Sequence, residues 1–319
     1  MMFAYEVVEG RVVRMEPDAD LARAAWIDLW RPQPAQSERV GALGVEVPTL
    51  ADMEEIEISN RLYRESGVDY MTVVLPGQTV EKTQVSGPVT FILTAGRMVT
   101  VRHHAPRPFE TFPERADKSA AGCGTAQALF LGLVEEIIGR MADLLESSGR
   151  ALDGVSREVF SGDAPQKPHL LQRALEQAGR ESEALGRVRL GLLTMERAVV
   201  FFGQTADRGG ADAGLKPVVK GLLRDIQALE VHADFLSSRL ANVSDMTLGM
   251  VNLSQNNTVR ILSVVAALFL PPTLIASAYG MNFVHMPELS WVWGYPVALG
   301  LMLMSALVTY FFLKWKNWL

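Results

Sequence analysis

Hydrophobic and polar residues change their spacing twice along the chain. Up to about residue 105, apolar residues fall in short runs rich in Val, Ile, Phe, Tyr and Trp. These predict strands over Phe3–Val8, Val12–Met15, Trp26–Leu29, Glu55–Tyr63, Tyr70–Leu75, Val89–Thr94 and Met98–Arg102. Gly67, Pro76-Gly77 and Gly87-Pro88 punctuate the runs as turns. Helices are expected over Pro34–Leu43 and Leu50–Glu55, which makes a mixed α/β domain with one sheet.

From about Pro106 the period becomes helical. One helix is predicted from Thr125 to Val159, ended by Gly162-Asp163-Ala164-Pro165. A second runs from Pro168 to Phe202, before the break at Arg208-Gly209-Gly210. A third begins near Leu215, with Lys216-Pro217 suited to its first turn, and meets no stop signal before Tyr279. A helix of that extent is roughly 100 Å long and needs neighbours along its side. Leu222, Ile226, Leu229, Ala233, Leu236, Leu240 and Val243 step by alternating four and three residues, a coiled-coil seam for the two preceding helices.

A second stripe starts on the opposite face of the same helix: Asp245, Gly249, Asn252, Asn256, Val259, Ala266, Leu270, Thr273 and Ser277. It begins polar and stays small or weakly polar. A face turned to lipid carries Leu, Ile and Phe, so this one faces a helix bundle or an aqueous path. Close small-residue packing without a pore is the alternative.

The second change is a loss of charge. Ile261 to Tyr279 is nineteen residues without a charged side chain, and Trp291 to Leu313 is twenty-three more. A spanning helix needs about 20 mostly apolar residues, and a soluble core helix keeps a polar outer face that neither segment has. Both read as transmembrane helices. Trp291, Trp293 and Tyr295 at one end of the second, and Trp315 and Trp318 beyond the other, match interfacial aromatic belts. Arg260, Lys314 and Lys316 flank the spans, whereas the loop from Gly280 to Ser290 has no Lys or Arg. The positive-inside rule then puts both termini in the cytoplasm. Glu6, Glu9 and Arg11 interrupt any signal-peptide h-region. The expected organisation is a mixed α/β domain over 1–120, long helices including a stalk over 121–258, a first span over 259–281, an outer loop over 282–290, a second span over 291–313 and a basic tail over 314–319.

Composition narrows the function classes. The 319 residues are 49% hydrophobic and 21% charged, which excludes a disordered or collagen-like chain. The net charge of -6 argues against a nucleic-acid surface, and the single Cys123 cannot close an intramolecular disulfide. No P-loop, Ser-His-Asp set or paired-carboxylate arrangement stands out, so neither nucleotide-driven pumping nor an enzyme is indicated. His103-His104 is expected to be an exposed pair, because adjacent strand residues point to opposite faces and cannot share an ion.

Beyond the first span the sequence reads Tyr279-Gly280-Met281-Asn282-Phe283, followed by Met286-Pro287-Glu288-Leu289. Gly-Met-Asn after the first of two C-terminal spans, with Met-Pro-Glu-Leu in the loop, resembles the CorA family of magnesium channels. Trp26-Ile27-Asp28-Leu29, Pro48-Thr49 through Met53-Glu54-Glu55-Ile56-Glu57, Ser59-Asn60-Arg61-Leu62-Tyr63, Asn256-Asn257 and the terminal Lys-Trp-Lys-Asn-Trp-Leu are similar to that family as well. The resemblance implies a funnel-shaped homopentamer in a bacterial inner membrane. An αβα cytoplasmic domain sits on a long stalk helix that continues into the pore-lining first span. It also implies passive import of Mg²⁺, with Co²⁺ and Ni²⁺ as secondary ions, gated by intracellular Mg²⁺. A zinc transporter of the same superfamily is the alternative, and a non-conducting membrane-tethered coiled-coil scaffold a more distant one.

Residues acquire roles on that resemblance. Mg²⁺ gives up its water reluctantly, so a selective mouth recognises the hydrated ion. A ring of Asn282 amide oxygens, set up by Gly280 and Met281, accepts hydrogen bonds from the water shell. Gly280 lets the backbone leave helical geometry. Glu288 is the only acidic residue of the outer loop, where it concentrates cations; Val284 stands where many relatives carry a second acid. Val259, Leu262 and Leu270 match apolar constrictions, and Asn252, Asn256, Ala266, Thr273 and Ser277 line the remaining path. Asp245 forms a regulatory carboxylate ring. Pro271-Pro272 predicts a bend in mid-span.

Overall fold

The structure, a computed structural model, describes residues 1–55, 57, 61–160, 168–209, 214–281, 286–316 and 318. The chain forms two compact units, Met1–Ser156 with Glu176–Val243, and Arg157–Leu175 with Ser244–Leu319.

The first unit is built on one seven-stranded sheet of order β2-β1-β3-β7-β6-β5-β4. The strands are β1 (Met2–Val8), β2 (Arg11–Arg14), β3 (Trp26–Trp30), β4 (Leu62–Glu65), β5 (Val68–Gln78), β6 (Gln84–Leu93) and β7 (Met98–Arg102). Only β3 and β7, at the centre, pair in parallel; the others are antiparallel. Two edge hairpins close through two-residue turns, Glu9-Gly10 (φ 50° and 76°) and Ser66-Gly67 (φ 49° and 83°). Positive φ at both positions matches the right-handed twist of the strands, and glycine adopts it without a Cβ clash.

Strand alternation sorts side chains into two cores. Trp26, Met71, Val73, Leu75, Val89, Phe91 and Met98 pack beneath α3 (Pro108–Arg115), α4 (Ala126–Val159), α5 (Pro168–Gly209) and the first half of α6 (Leu215–Tyr279). Ile27, Leu29, Tyr70, Ile92, Val99 and Val101 face the other way, towards Val40 of α1 (Pro34–Gly41) and Met53 of α2 (Leu50–Glu54). Helices therefore cover both faces, an αβα sandwich. Thr49 and Asp52 start α2 by a reciprocal capping box. The strand expected from Glu55 begins instead at Leu62, because the Ser66-Gly67 turn sets a register of four pairs, from Glu65↔Val68 to Leu62↔Met71. Residues 56 and 58–60 lie outside the described residues.

The coiled-coil seam is buried as expected: Leu222, Ile226, Ala233, Leu236, Leu240 and Val243 are covered and Leu229 is half-covered. α5 runs past Phe202 to Gly209, where the first glycine of the break stands. α6 is continuous for 65 residues, through Pro271 and Pro272. In the second unit, α7 (Gly294–Trp315) starts three residues later than the charge pattern indicated. Pro296 then falls in its first turn, where a missing N–H costs no helical bond. α7 and the end of α6 are long and apolar enough to cross a membrane.

Candidate functional site

The second unit holds the residues singled out in the sequence. Asp245, Gly249, Asn252, Asn256, Val259, Ala266, Leu270, Thr273 and Ser277 are all exposed on α6. On the same stretch Thr247 and Ser254 are buried, and Val264, Ala267, Leu268, Pro271, Pro272, Ile275 and Tyr279 are half-buried. At 3.6 residues per turn the two sets lie on opposite sides, so the helix has one covered and one open face. The exposed residues of this stretch differ in composition from one side to the other. Ile261, Val265, Phe269 and Leu274 are large, apolar and exposed, as lipid requires. The stripe between them carries Gly, Asn, Ala, Thr and Ser. Val259, Leu262 and Leu270 are the bulky apolar residues on or beside it, 62%, 69% and 66% exposed.

Two hydroxyls of the apolar run are bonded to the helix's own backbone. Ser263 Oγ donates to the Val259 carbonyl at 2.8 Å, and Thr273 Oγ1 lies 3.0 and 2.9 Å from the carbonyls of Phe269 and Leu270. Arg260, the last charge before the apolar run, donates to Asn257 Oδ1 at 2.8 Å. The helix closes with Gly280 N–H on the Ala276 carbonyl (2.9 Å) and Met281 N–H on that of Ala278 (3.4 Å). Gly280 is the first residue past the helix, which ends at Tyr279, and it has no positive φ; among described glycines only Gly10, Gly44, Gly67 and Gly122 do. A helical hydrogen bond still holds it, and a Cβ there would sit a tight 3.2 Å from the Ala276 oxygen. Asn282 lies outside the described residues. Glu288 falls in a short 3-10 turn, Pro287–Ser290, and its side chain is not described.

Residues 22–315 match the family described as CorA-like Mg²⁺ transporter protein. The chain belongs to the CorA family. The magnesium transport protein CorA of Yersinia pseudotuberculosis is 32% identical over 322 residues, covering 100% of each chain. The solved CorA magnesium transporter of Methanocaldococcus jannaschii covers 100% of this chain and 99% of its own, with a TM-score of 0.74 at 15% identity. The ZntB cytoplasmic domain of Vibrio parahaemolyticus covers 77% of this chain and 96% of its own, with a TM-score of 0.55 at 11% identity. At those identities the two structures share the fold. This CorA-family chain is thus an α+β membrane protein, with an N-terminal αβα domain and a long helix continuing into the first of two spans.

Two features of the αβα domain were not legible beforehand. Asp28, of the Trp-Ile-Asp-Leu run, is buried against Arg102, whose Nε and Nη2 donate to its carboxylate at 2.8–3.1 Å. Thr100 Oγ1 donates to the same carboxylate at 2.8 Å and accepts from Trp26 Nε1 at 3.0 Å. A lone Asp in an apolar strand signalled a partner, but only β3–β7 pairing names it. His104 corrects the expectation of an exposed pair: it is buried, with Nε2 donating to the Leu75 carbonyl at 2.9 Å. Gly77 and Gly87 make the room, since a Cβ on either would come within 2.7 Å of the ring. Burial, reinforced by the Arg102 charge, pushes the imidazole pKa down to about 4. Among the described residues no three His, Cys, Asp or Glu side chains gather as a metal site.

Proposed function

We propose that five copies of this chain form a channel that imports Mg²⁺ passively, with Co²⁺ and Ni²⁺ as secondary ions. One observation carries the reading: a CorA-family chain keeps a small, polar, uncovered stripe along a spanning helix that leads directly into Gly280-Met281-Asn282. Two hairpin helices cannot enclose a path, so each subunit contributes its α6 to a ring. Both termini lie in the cytoplasm of a bacterial cell, where the negative interior draws a divalent ion inward by roughly 4.6 kcal/mol per 100 mV.

In this arrangement Asn282 carbonyls form the selectivity filter around the hydrated ion, with Glu288 concentrating cations above it. A neutral ring suits throughput, because carboxylates at that point hold a divalent ion and slow its exit. Apolar rings at Val259, Leu262 and Leu270 close the path by dewetting. Asp245 forms a ring whose mutual repulsion a bound Mg²⁺ relieves, biasing the stalk to a closed state. The Met-Pro-Glu-Leu loop favours Mg²⁺ over Zn²⁺.

Purified protein in sealed vesicles tests the reading. Mg²⁺ influx that follows an imposed membrane potential and is blocked by cobalt hexammine is expected. Zn²⁺ influx driven by a pH gradient in place of Mg²⁺ influx assigns the chain to zinc instead. Cation-tight vesicles would leave it a scaffold.

A further inference from the structure

β2 is the outermost strand on its side of the sheet and pairs with β1 alone. Met15 N–H donates to the Ala4 carbonyl at 2.8 Å, which fixes the alternation of that antiparallel ladder. Arg11, Val13 and Met15 therefore bond to β1, whereas Val12 and Arg14 turn their N–H and C=O groups outward. Among the described residues these four groups have no partner. The row is closed at its hairpin end, where the Cys123 thiol donates to the Gly10 carbonyl at 2.9 Å. Sheets commonly guard such an edge with charge. Here both arginines of β2 are drawn off it: Arg14 lies over the Phe3 ring of β1, 4.6 Å from its centroid, and Arg11 reaches Asp117 at 3.7 Å. Val13 is left 44% exposed.

Beside this edge lies a groove of about 640 Å³, lined by all four residues of β2. Its far wall is α3 and the 3-10 turn Ala116–Lys118. Glu110 and Glu114, one helical turn apart on α3, both line it, and among the described residues neither carboxylate has an ion pair or a hydrogen bond. Asp117 is held by Arg11, and Lys118, its neighbour in the turn, is the remaining charge of that wall. An extended segment laid against β2 would exchange backbone hydrogen bonds with Val12 and Arg14. Val12 packs with the core beneath α3, so the segment's residues opposite Val12 and Arg14 point to the face that α3 covers. There they meet two unpaired carboxylates, which favour Lys or Arg. The residue between them points to the other face, beside the exposed Val13, where cross-strand contact favours a β-branched side chain.

We propose that β2 takes up an extended basic peptide of a partner protein as an eighth strand, with Lys or Arg at alternate positions facing Glu110 and Glu114 and a β-branched residue between them against Val13. The experiment is fluorescence anisotropy of a labelled acetyl-Lys-Val-Lys-Val-Lys-amide peptide with the full-length protein in detergent. Saturable binding is expected, and the analogue with Glu at the three Lys positions should bind at least about tenfold more weakly. N-methylation of the Lys amides removes the donors aimed at β2 and should weaken binding as much. N-methylation of the Val amides, which point away, should change little. Val12→Pro deletes an outward N–H without touching the β1 ladder, and Glu110→Gln with Glu114→Gln removes the acidic wall; each should weaken binding at least about tenfold. Melting within a few degrees of wild type shows that a variant is folded, and if Val12→Pro is not, the methylated peptides decide. No saturable binding, equal binding of the acidic analogue or of both methylated forms, or unchanged binding by the folded variants overturns the proposal. Self-association through this edge, seen in sedimentation and lost in Val12→Pro, assigns it to a second copy and overturns it as well. Mg²⁺ flux is indifferent to these outcomes, so the channel reading stands or falls separately.

Discussion

The imidazole of His104 is enclosed by Gly77, Gly87 and the Leu75 carbonyl, and it stays neutral because burial deprives a charge of its hydration. Its pKa falls from the ordinary 6.5 to about 4 in the fold. An unfolded chain thus binds the proton first as pH drops, and the native state loses stability from about pH 6.5 down through 4. The full effect is about 3 kcal/mol. His104→Gln keeps a donor for Leu75 without the titration. Melting followed by tryptophan fluorescence should fall less between pH 7 and pH 5 in the variant than in wild type; parallel losses would place the titrating group elsewhere. At the mouth, Asn282→Leu removes the acceptor for the ion's water shell without burying a charge. Mg²⁺ uptake should vanish while assembly survives, and retained uptake removes the filter role. The two residues differ in how far the sequence discloses them. Asn282 sits in a local motif beside a charge-free run, so chain position alone marks it. His104 is hidden in a dipeptide, and its burial depends on glycines 27 and 17 residues away that only the β5–β6 pairing and the isolated Gln78–Ala105 bridge bring near.

Elements were legible where one spacing persists. The seam from Leu222 to Val243 and the open stripe from Asp245 to Ser277 both follow from period alone, because a helix repeats its geometry for as long as nothing breaks it. The strand expected from Glu55 failed for the opposite reason. Its start depends on a capping box before it and a two-residue turn after it, and these outweigh the β-branched composition between. On α6 the stripe runs from Asp245 at one end to the apolar Val259 and Leu270 further along. In the proposed channel Leu270→Asn hydrates an apolar constriction and should leave vesicles leaky to Mg²⁺ at high internal Mg²⁺; tight closure moves the gate to Val259 or Leu262. Asp245→Ala should weaken Mg²⁺ protection of the stalk against protease. Protection identical to wild type across the titration excludes the carboxylate ring as a sensor.

For the whole molecule, the decisive question is what covers the open face. Cys123 is buried, with its thiol donating to the Gly10 carbonyl at 2.9 Å, so an introduced cysteine reports alone. Asn256→Cys should cross-link neighbouring subunits under mild oxidation, and Phe269→Cys, among the large apolar residues, should not. Cross-linking through Phe269 and not Asn256 would turn the helix around and put the small residues against lipid. The family and the αβα architecture needed only one chain; the assembly needs several, which is why periodicity reaches the stripe and stops there.

The inward-turned hydroxyls have an electrical consequence. Ser263 and Thr273 hand their protons to carbonyls of their own helix, so the oxygen atoms left outward offer lone pairs and no hydrogen. Water around a cation points its hydrogens away from the ion, whereas water around chloride points them inward. At these two positions of the apolar run, then, the proposed channel offers a cation's water shell acceptors alone, a local preference of sign that needs no charge of its own.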